Sequence, residues 1–178
     1  SSLRVGEQPA GQVTEDKANN DLFDAAQSVI VPTDGIVQID GTIDSAEDID
    51  IYSLGPAKAG DRLTIDVAGA GGLNTVAALF DSHRDLIDAN DDRSYYAGQL
   101  DPYVSQVLRQ DQENVYVGIA VARATYFSSQ NGRFDSGQYS MKIIRRIDQS
   151  APQANRQTVF LDFEGGDSVQ IALQPFEQ

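Results

Sequence analysis

Apolar and polar residues alternate at every second position along much of this chain, and that alternation constrains the fold most. Successive side chains of a strand point to opposite faces of a sheet, so period two predicts strands buried on one face. More continuous apolar runs at 76–80 and 115–121 predict strands covered on both faces. Residues 103–108 also fit a helix face, and we favour a strand there. The alternating segments are residues 36–39, 49–54, 62–67 and 139–143.

Clusters of Gly, Asp and Asn separate these runs, as at 56–60, 68–74 and 131–137. Short strands at such spacing favour an all-β fold, an antiparallel jelly-roll β-sandwich. Residues 22–30 have room for one or two helical turns, with Asn20 or Asp21 as cap. We predict an acidic N-terminal linker or arm at 1–18, the β-sandwich at 19–147, a second linker at 148–156, and a C-terminal β-hairpin extension at 157–178.

Charge and composition narrow the partners of the chain. Its 178 residues include 27 acidic and 13 basic side chains, which gives a net charge of −14. This charge argues against binding to nucleic acid or to anionic membranes. The sequence contains no cysteine, so disulfides do not stabilise it. No apolar run approaches the roughly 20 residues that cross a bilayer, so we expect no membrane partner.

Carboxylates crowd the turn that precedes one alternating strand, at Asp44, Glu47, Asp48 and Asp50. Charges packed so densely repel one another unless solvent or a cation compensates them. Oxygen-only ligands of this kind suit hard cations, so the first hypothesis is a β domain that binds Ca²⁺. The alternative is a solvated acidic loop.

Six sequence blocks, taken in order, resemble the bacterial pre-peptidase C-terminal domain, a family that includes the collagen-binding domains of clostridial collagenases. The resemblance covers roughly residues 14–147. It implies a jelly-roll sandwich attached to a secreted bacterial hydrolase, often a protease, and dependent on calcium in some members. The blocks are NNDLFDAAQ (19–27), GTIDSAEDIDIYSL (41–54), AGDRLTIDV (59–67), LFDSHRDLIDANDD (79–92), NVYVGIA (114–120) and GQYSMKI (137–143).

The resemblance also implies a set of calcium ligands, in which the ion ties an acidic linker to the turn before the strand. A second linker carboxylate of the family pattern falls at Ala18, and its loss predicts weaker binding. Glu15, Asp44 and Asp48 are further carboxylates nearby whose direction the sequence does not set. The implied ligands are Asp16, Asn20 and Asp21 from the linker, the Thr42 carbonyl, and Glu47 and Asp50 from the turn and strand.

Catalysis finds little support in these residues. The single histidine, His83, falls in a predicted surface turn at 81–84, and the sequence has neither an HExxH zinc motif nor a GxSxG nucleophile elbow. The run at 88–92 starts like an EF-hand, but Arg93 stands where that loop requires Gly. We therefore expect a non-enzymatic domain.

Tyrosines beside polar loops offer another functional surface, because tyrosine gives contact area at low entropic cost. A sandwich face bearing them suits an extracellular protein such as collagen, or a polysaccharide. Packing is the simpler role for most of the seven tyrosines. The candidates are Tyr95, Tyr96, Tyr103 and Tyr126.

The tail leaves two interpretations open. TVFLDFEGG (158–166) is similar to the opening strand of secreted metallopeptidase domains, so residues 157–178 begin a following peptidase domain or form an extra hairpin. We expect a secreted, calcium-stabilised accessory domain whose partner is a protease catalytic domain and whose role is folding, spacing or substrate targeting. The alternatives are a collagen- or carbohydrate-binding module with incidental metal, and the N-terminal fragment of a metalloprotease precursor.

Overall fold

The computed structural model describes residues 11–16, 20–122 and 136–147. Two five-stranded sheets pack face to face, which confirms the predicted β-sandwich. In spatial order the first sheet contains β1 (Gly11–Thr14), β3 (Ile36–Ile43), β10 (Gly137–Ile147), β5 (Asp61–Gly69) and β8 (Tyr103–Val107). The second contains β2 (Gln27–Ser28), β4 (Ile49–Ser53), β9 (Tyr116–Val121), β6 (Thr75–Phe80) and β7 (Leu86–Asn90). Short 3-10 helices span Phe23–Ala25 and Tyr95–Ala97.

Strand pairing is antiparallel except at one edge of each sheet. There β1 pairs with β3 in parallel, and β2 pairs with β4 in parallel. The chain alternates between the two sheets from β1 to β4, so each edge pair is separated by a strand of the other sheet and runs in the same direction. β1 falls within the predicted arm at 1–18 and gives that segment a place in the first sheet.

The predicted alternation is confirmed by burial in the core. Inward side chains of both sheets form one apolar cluster, while most of their outward neighbours are exposed or half-buried. Ile51, Thr64 and Gly118 are buried outward residues. Val104 and Leu108 are also buried, and residues 103–107 form the strand that we favoured. The most buried members include Ile39, Ile43, Tyr52, Leu63, Ile65, Leu79, Ile119, Met141 and Ile143.

Two local predictions were wrong. The outward side chains of β6 and β9 are not fully covered, since Val76, Ala78 and Ala120 are half-buried. On the outward side of those runs Ala78, Gly118 and Ala120 are small, and Phe23 covers only Phe80 and Tyr116. In the segment 22–30 one helical turn is present, a 3-10 turn that leads into β2, but the cap was predicted wrongly: Leu22, not Asn20 or Asp21, occupies that position and makes no side-chain hydrogen bond there.

The structure also tests the predicted turns, whereas the predicted C-terminal segments fall outside the part it describes. Residues 81–84 form the expected turn, in which the Arg84 amide donates to the Asp81 carbonyl. Residues 86–90 complete a hairpin with β6. No helix among the described residues has the length and apolar character needed to cross a membrane. The predicted linker at 148–156 and the hairpin or peptidase start at 157–178 lie outside the described residues.

A buried ion pair joins β5 to β10 at the end of the sandwich. The Arg145 Nε donates to the Asp61 Oδ2 at 2.9 Å, and its Nη1 donates to the Pro56 carbonyl at 3.1 Å. Both side chains are largely buried, with 14% and 5% of their surface exposed. An exposed ion pair between Lys58 and Asp111, at 2.7 Å, offers a comparison in the same region.

We expect Arg145→Leu to lower the free energy of unfolding by about 3–5 kcal/mol, because it leaves the Asp61 carboxylate buried without its cation. Lys58→Leu removes a solvated partner and is expected to cost less than about 1 kcal/mol. Urea unfolding of the two variants measures the difference. Equal losses would show that the Asp61 pair is not special.

Candidate functional site

The carboxylate of Asp50 lies between the two sheets and is fully buried, with 0% of the residue exposed. β4 places it there because Asp50 shares the inward face of that strand with Tyr52. Its Oδ1 accepts a hydrogen bond from the Asn20 Nδ2 at 2.9 Å, and its Oδ2 accepts one from the Tyr139 hydroxyl at 2.7 Å. The linker, the second sheet and the first sheet therefore meet at one side chain.

The backbone of Asn20 strengthens this junction. Its carbonyl accepts a hydrogen bond from the Ile51 amide at 2.8 Å, while its side chain, within a residue only 3% exposed, contacts Asp50. Asn20 therefore binds β4 through both its backbone and its side chain. The predicted role of Asn20 as a helix cap is replaced by this anchoring contact.

A directed chain of hydroxyl groups leads to Asp50. The hydroxyl oxygens of Tyr52 and Tyr139 lie 2.5 Å apart. Because Tyr139 donates its only hydroxyl proton to Asp50, Tyr52 donates to Tyr139. Gly41 leaves room for the Tyr139 ring, since a Cβ at position 41 would lie 2.5 Å from the Tyr139 hydroxyl oxygen.

Burial and nearby charge together determine the protonation of Asp50. The pKa of Asp50 is raised to about 7, and burial is the largest cause. The charges of Glu15 and Asp48 also raise this pKa, whereas the hydrogen bonds from Tyr139 and Asn20 lower it. Burial likewise raises the pKa of both tyrosines. The site is thus a desolvated carboxylate with two more carboxylates close enough to repel it.

Glu15 is the linker carboxylate that the structure turns toward this region. Its Oε2 accepts a hydrogen bond from the Thr42 amide at 2.6 Å, just beyond the pairing of β1 with β3. The alternation of side chains along β1 would have predicted which way the Glu15 side chain points, but only if β1 had been recognised in the sequence. The polar, non-periodic composition of the arm gave no such signal.

The predicted calcium ligands are brought together only in part. Asn20 and Asp50 are in direct contact, and Thr42 is joined to the linker through Glu15. Asp16, Asp21 and Glu47 are exposed. No group of three or more Asp, Glu, His or Cys side chains in the described part of the chain is arranged to hold a metal ion. Ala18 lies outside the described residues.

The chemistry of the donors fits calcium nevertheless. The carboxylates of Glu15 and Asp48 act on Asp50 electrostatically, and carboxylate oxygens are ligands that calcium prefers. The two oxygens of Asp50 itself accept hydrogen bonds from the Asn20 amide and the Tyr139 hydroxyl. A buried carboxylate repelled by two others is also the environment that a bound cation would relieve. Calcium binding stays a prediction.

The candidate tyrosines differ in exposure. Tyr96 is fully exposed, at 100%, in the 3-10 helix Tyr95–Ala97, and Tyr103 is 42% exposed on the edge strand β8. The Arg93 guanidinium lies 4.9 Å from the centre of the Tyr103 ring. The side chain of Tyr95 and all of Tyr126 lie outside the described part.

Similarity to known proteins is found among solved structures. No family model matches the sequence, and no curated protein matches it. The structure is similar to the 1.0 Å crystal structure of the pre-peptidase C-terminal domain of collagenase from Bacillus anthracis, with a TM-score of 0.46 and 11% sequence identity. The match covers 66% of this chain and 93% of that one.

The raised pKa of Asp50 predicts a pH effect on stability. Because the folded pKa of about 7 exceeds the ordinary value of 3.8, the folded state binds the proton more tightly than the unfolded state. Stability from this group is complete below about pH 4 and falls as pH rises to about 7, by at most about 1.4 kcal/mol per pH unit. Unfolding of the wild type and Asp50→Asn in EDTA at several pH values measures this change.

The difference in unfolding free energy between the wild type and Asp50→Asn at each pH reports the titration of Asp50 apart from that of the other carboxylates. We expect the wild type to lose stability relative to Asp50→Asn between pH 4 and 7 and then to level off. A difference that is constant, or that grows in favour of the wild type as pH rises, would contradict the prediction.

Proposed function

We propose that this chain is a non-catalytic accessory domain of a secreted bacterial hydrolase, specifically a protease, and that calcium stabilises it. The sequence blocks that resemble the pre-peptidase C-terminal family support the accessory role. The observation that carries the proposal is the buried contact between Asn20 and Asp50. It fixes the linker to the sandwich at a point where negative charge accumulates.

Calcium acts in this proposal on the position of the linker. The domain's own residues hold the linker through Asn20, and Asp50 provides a carboxylate that is costly to ionise without a nearby cation. Asp16, Asp21, Thr42 and Glu47 are the further oxygen donors that the family resemblance implies. A fixed linker restricts the orientation of an attached catalytic domain and resists proteolysis.

The proposal predicts that calcium raises the thermal unfolding midpoint and that the rise saturates, because an ion bound only to the folded state stabilises it by mass action. At 100 times the dissociation constant the gain is about 2.7 kcal/mol. Asp50→Asn is expected to abolish most of this rise. The measurement is thermal unfolding in EDTA and across a calcium titration, with magnesium as the competing ion.

Asp111→Asn is the matched control. Asp111 lies on the loop between β8 and β9, and its exposed carboxylate accepts a hydrogen bond from Lys58. This control should leave the calcium response unchanged. An equal rise in the unfolding midpoint in wild type and Asp50→Asn would show that Asp50 is not part of a calcium site. No rise in the wild type would show that the acidic turn is a solvated loop that binds no calcium.

A second candidate function, binding of collagen or a polysaccharide, is favoured by the complete exposure of Tyr96. An aromatic ring that is open to solvent can contact an extracellular ligand. Pull-down on insoluble collagen and on insoluble polysaccharides tests this function. We expect retention to fall at least fivefold in Tyr96→Ala, while Leu86→Ala, also an exposed apolar residue at 60%, retains binding.

Failure of the wild type to be retained on any of these materials would exclude this candidate. Retention that Tyr96→Ala does not alter would place binding elsewhere. Neither result bears on the calcium titration, so the two functions are tested separately.

A further inference from the structure

An apolar groove crosses the outer face of the second sheet. One cavity, of about 360 Å³, has a floor of outward-facing small residues on β6 and β9, which are Ala78, Gly118 and Ala120. A second cavity, of about 330 Å³, continues toward β7 and shares Val76 with the first. Both volumes lie in the range of ligand pockets, and neither belongs to the site around Asp50.

Large apolar side chains line the rim of the groove and remain open to solvent. Leu22 is 68% exposed and Ile49 is 42% exposed, although both line the first cavity. Exposed apolar side chains grouped around a concave surface indicate an interaction site rather than ordinary surface composition. The floor of small residues leaves space that a partner's side chains can fill.

The wall of the groove is rigidly built. The Phe23 ring packs edge-to-face on Phe80 at 5.1 Å and on Tyr116 at 5.2 Å. The Arg84 guanidinium covers Phe23 at 5.5 Å and forms a salt bridge with Asp24. These contacts hold the wall in place before any partner binds, which lowers the entropic cost of binding.

Carboxylates mark both ends of the groove. Asp21 lines the end beside β4, and Asp91 lines the end beside β7. No salt bridge joins either of them to a basic side chain within the described residues. With a net charge of −14 on the whole chain, the charge that complements this groove is positive.

We propose that the groove binds a polypeptide segment with apolar side chains at its centre and Lys or Arg at each end. The groove crosses the four strands β4, β9, β6 and β7, which at about 4.8 Å per strand spacing is about 14 Å. An extended segment rises about 3.3 Å per residue, so its basic residues stand four or five positions apart. The inference goes beyond the accessory function and does not depend on it.

The test uses synthetic six-residue probes and the whole chain, in EDTA so that calcium does not compete for Asp21. One probe has Lys at both ends and two Leu and two Ala between them. A second replaces both Lys with Glu, and a third replaces the apolar residues with Ser. Fluorescence anisotropy should show the first probe binding at least tenfold more tightly than the others, with affinity falling as salt rises.

Ala120→Leu fills the floor of the groove and should weaken binding of the Lys-ended probe at least tenfold. Ala68→Leu is the matched control, because it makes the same change at an exposed position on β5 of the other sheet. Leu22→Ser, at an exposed rim residue, repeats the test if Ala120→Leu unfolds. Asp91→Asn should weaken binding about threefold and reduce its salt dependence.

Several results would overturn the inference. These are the absence of binding by any probe, equal binding of the Lys-ended and Glu-ended probes, or equal loss in Ala120→Leu and Ala68→Leu. Sedimentation that shows self-association of the chain, lost in Ala120→Leu, would assign the groove to a second copy of the chain instead.

Discussion

Burial of the Asp50 carboxylate is the constraint on which the arrangement of this domain depends. A desolvated carboxylate is costly unless donors satisfy it, and here Asn20 and Tyr139 each donate to one of its two oxygens. One donor belongs to the linker and the other to the first sheet, while Asp50 belongs to the second. Satisfying one charge therefore fixes three parts of the chain relative to one another.

The same contact positions the outer surface of the second sheet. Asn20 is held against β4, so the next residues, Asp21 to Phe23, lie over the outward side chains of β4, β9 and β6. On the inner side of the second sheet Asn20 contacts the Asp50 carboxylate. On its outer side the residues that follow Asn20 form the wall of the apolar groove. A change that released Asn20 would alter both the carboxylate site and the groove.

Much of the fold was predictable because burial on one face imposes period two on the residues. The core strands β3, β4, β5 and β10 were placed from that pattern, and Asp50 was identified as part of a charged site. The open outer face was mispredicted because a run such as Val76–Phe80 has the same apolar character whether its outward residues are covered or exposed. β1 was missed because an exposed edge strand of four residues carries little periodic signal.

The sequence by itself determined the class of fold, the faces of the main strands and the accumulation of carboxylates, since each of these follows from residue type and spacing. Only the tertiary structure decided that Asn20 turns inward to Asp50, that Glu15 contacts Thr42 and that Gly41 makes room for Tyr139. These contacts join residues far apart in the chain, and their partners depend on strand order and register. Local patterns do not encode that order, because many pairings of the same strands bury the same apolar faces.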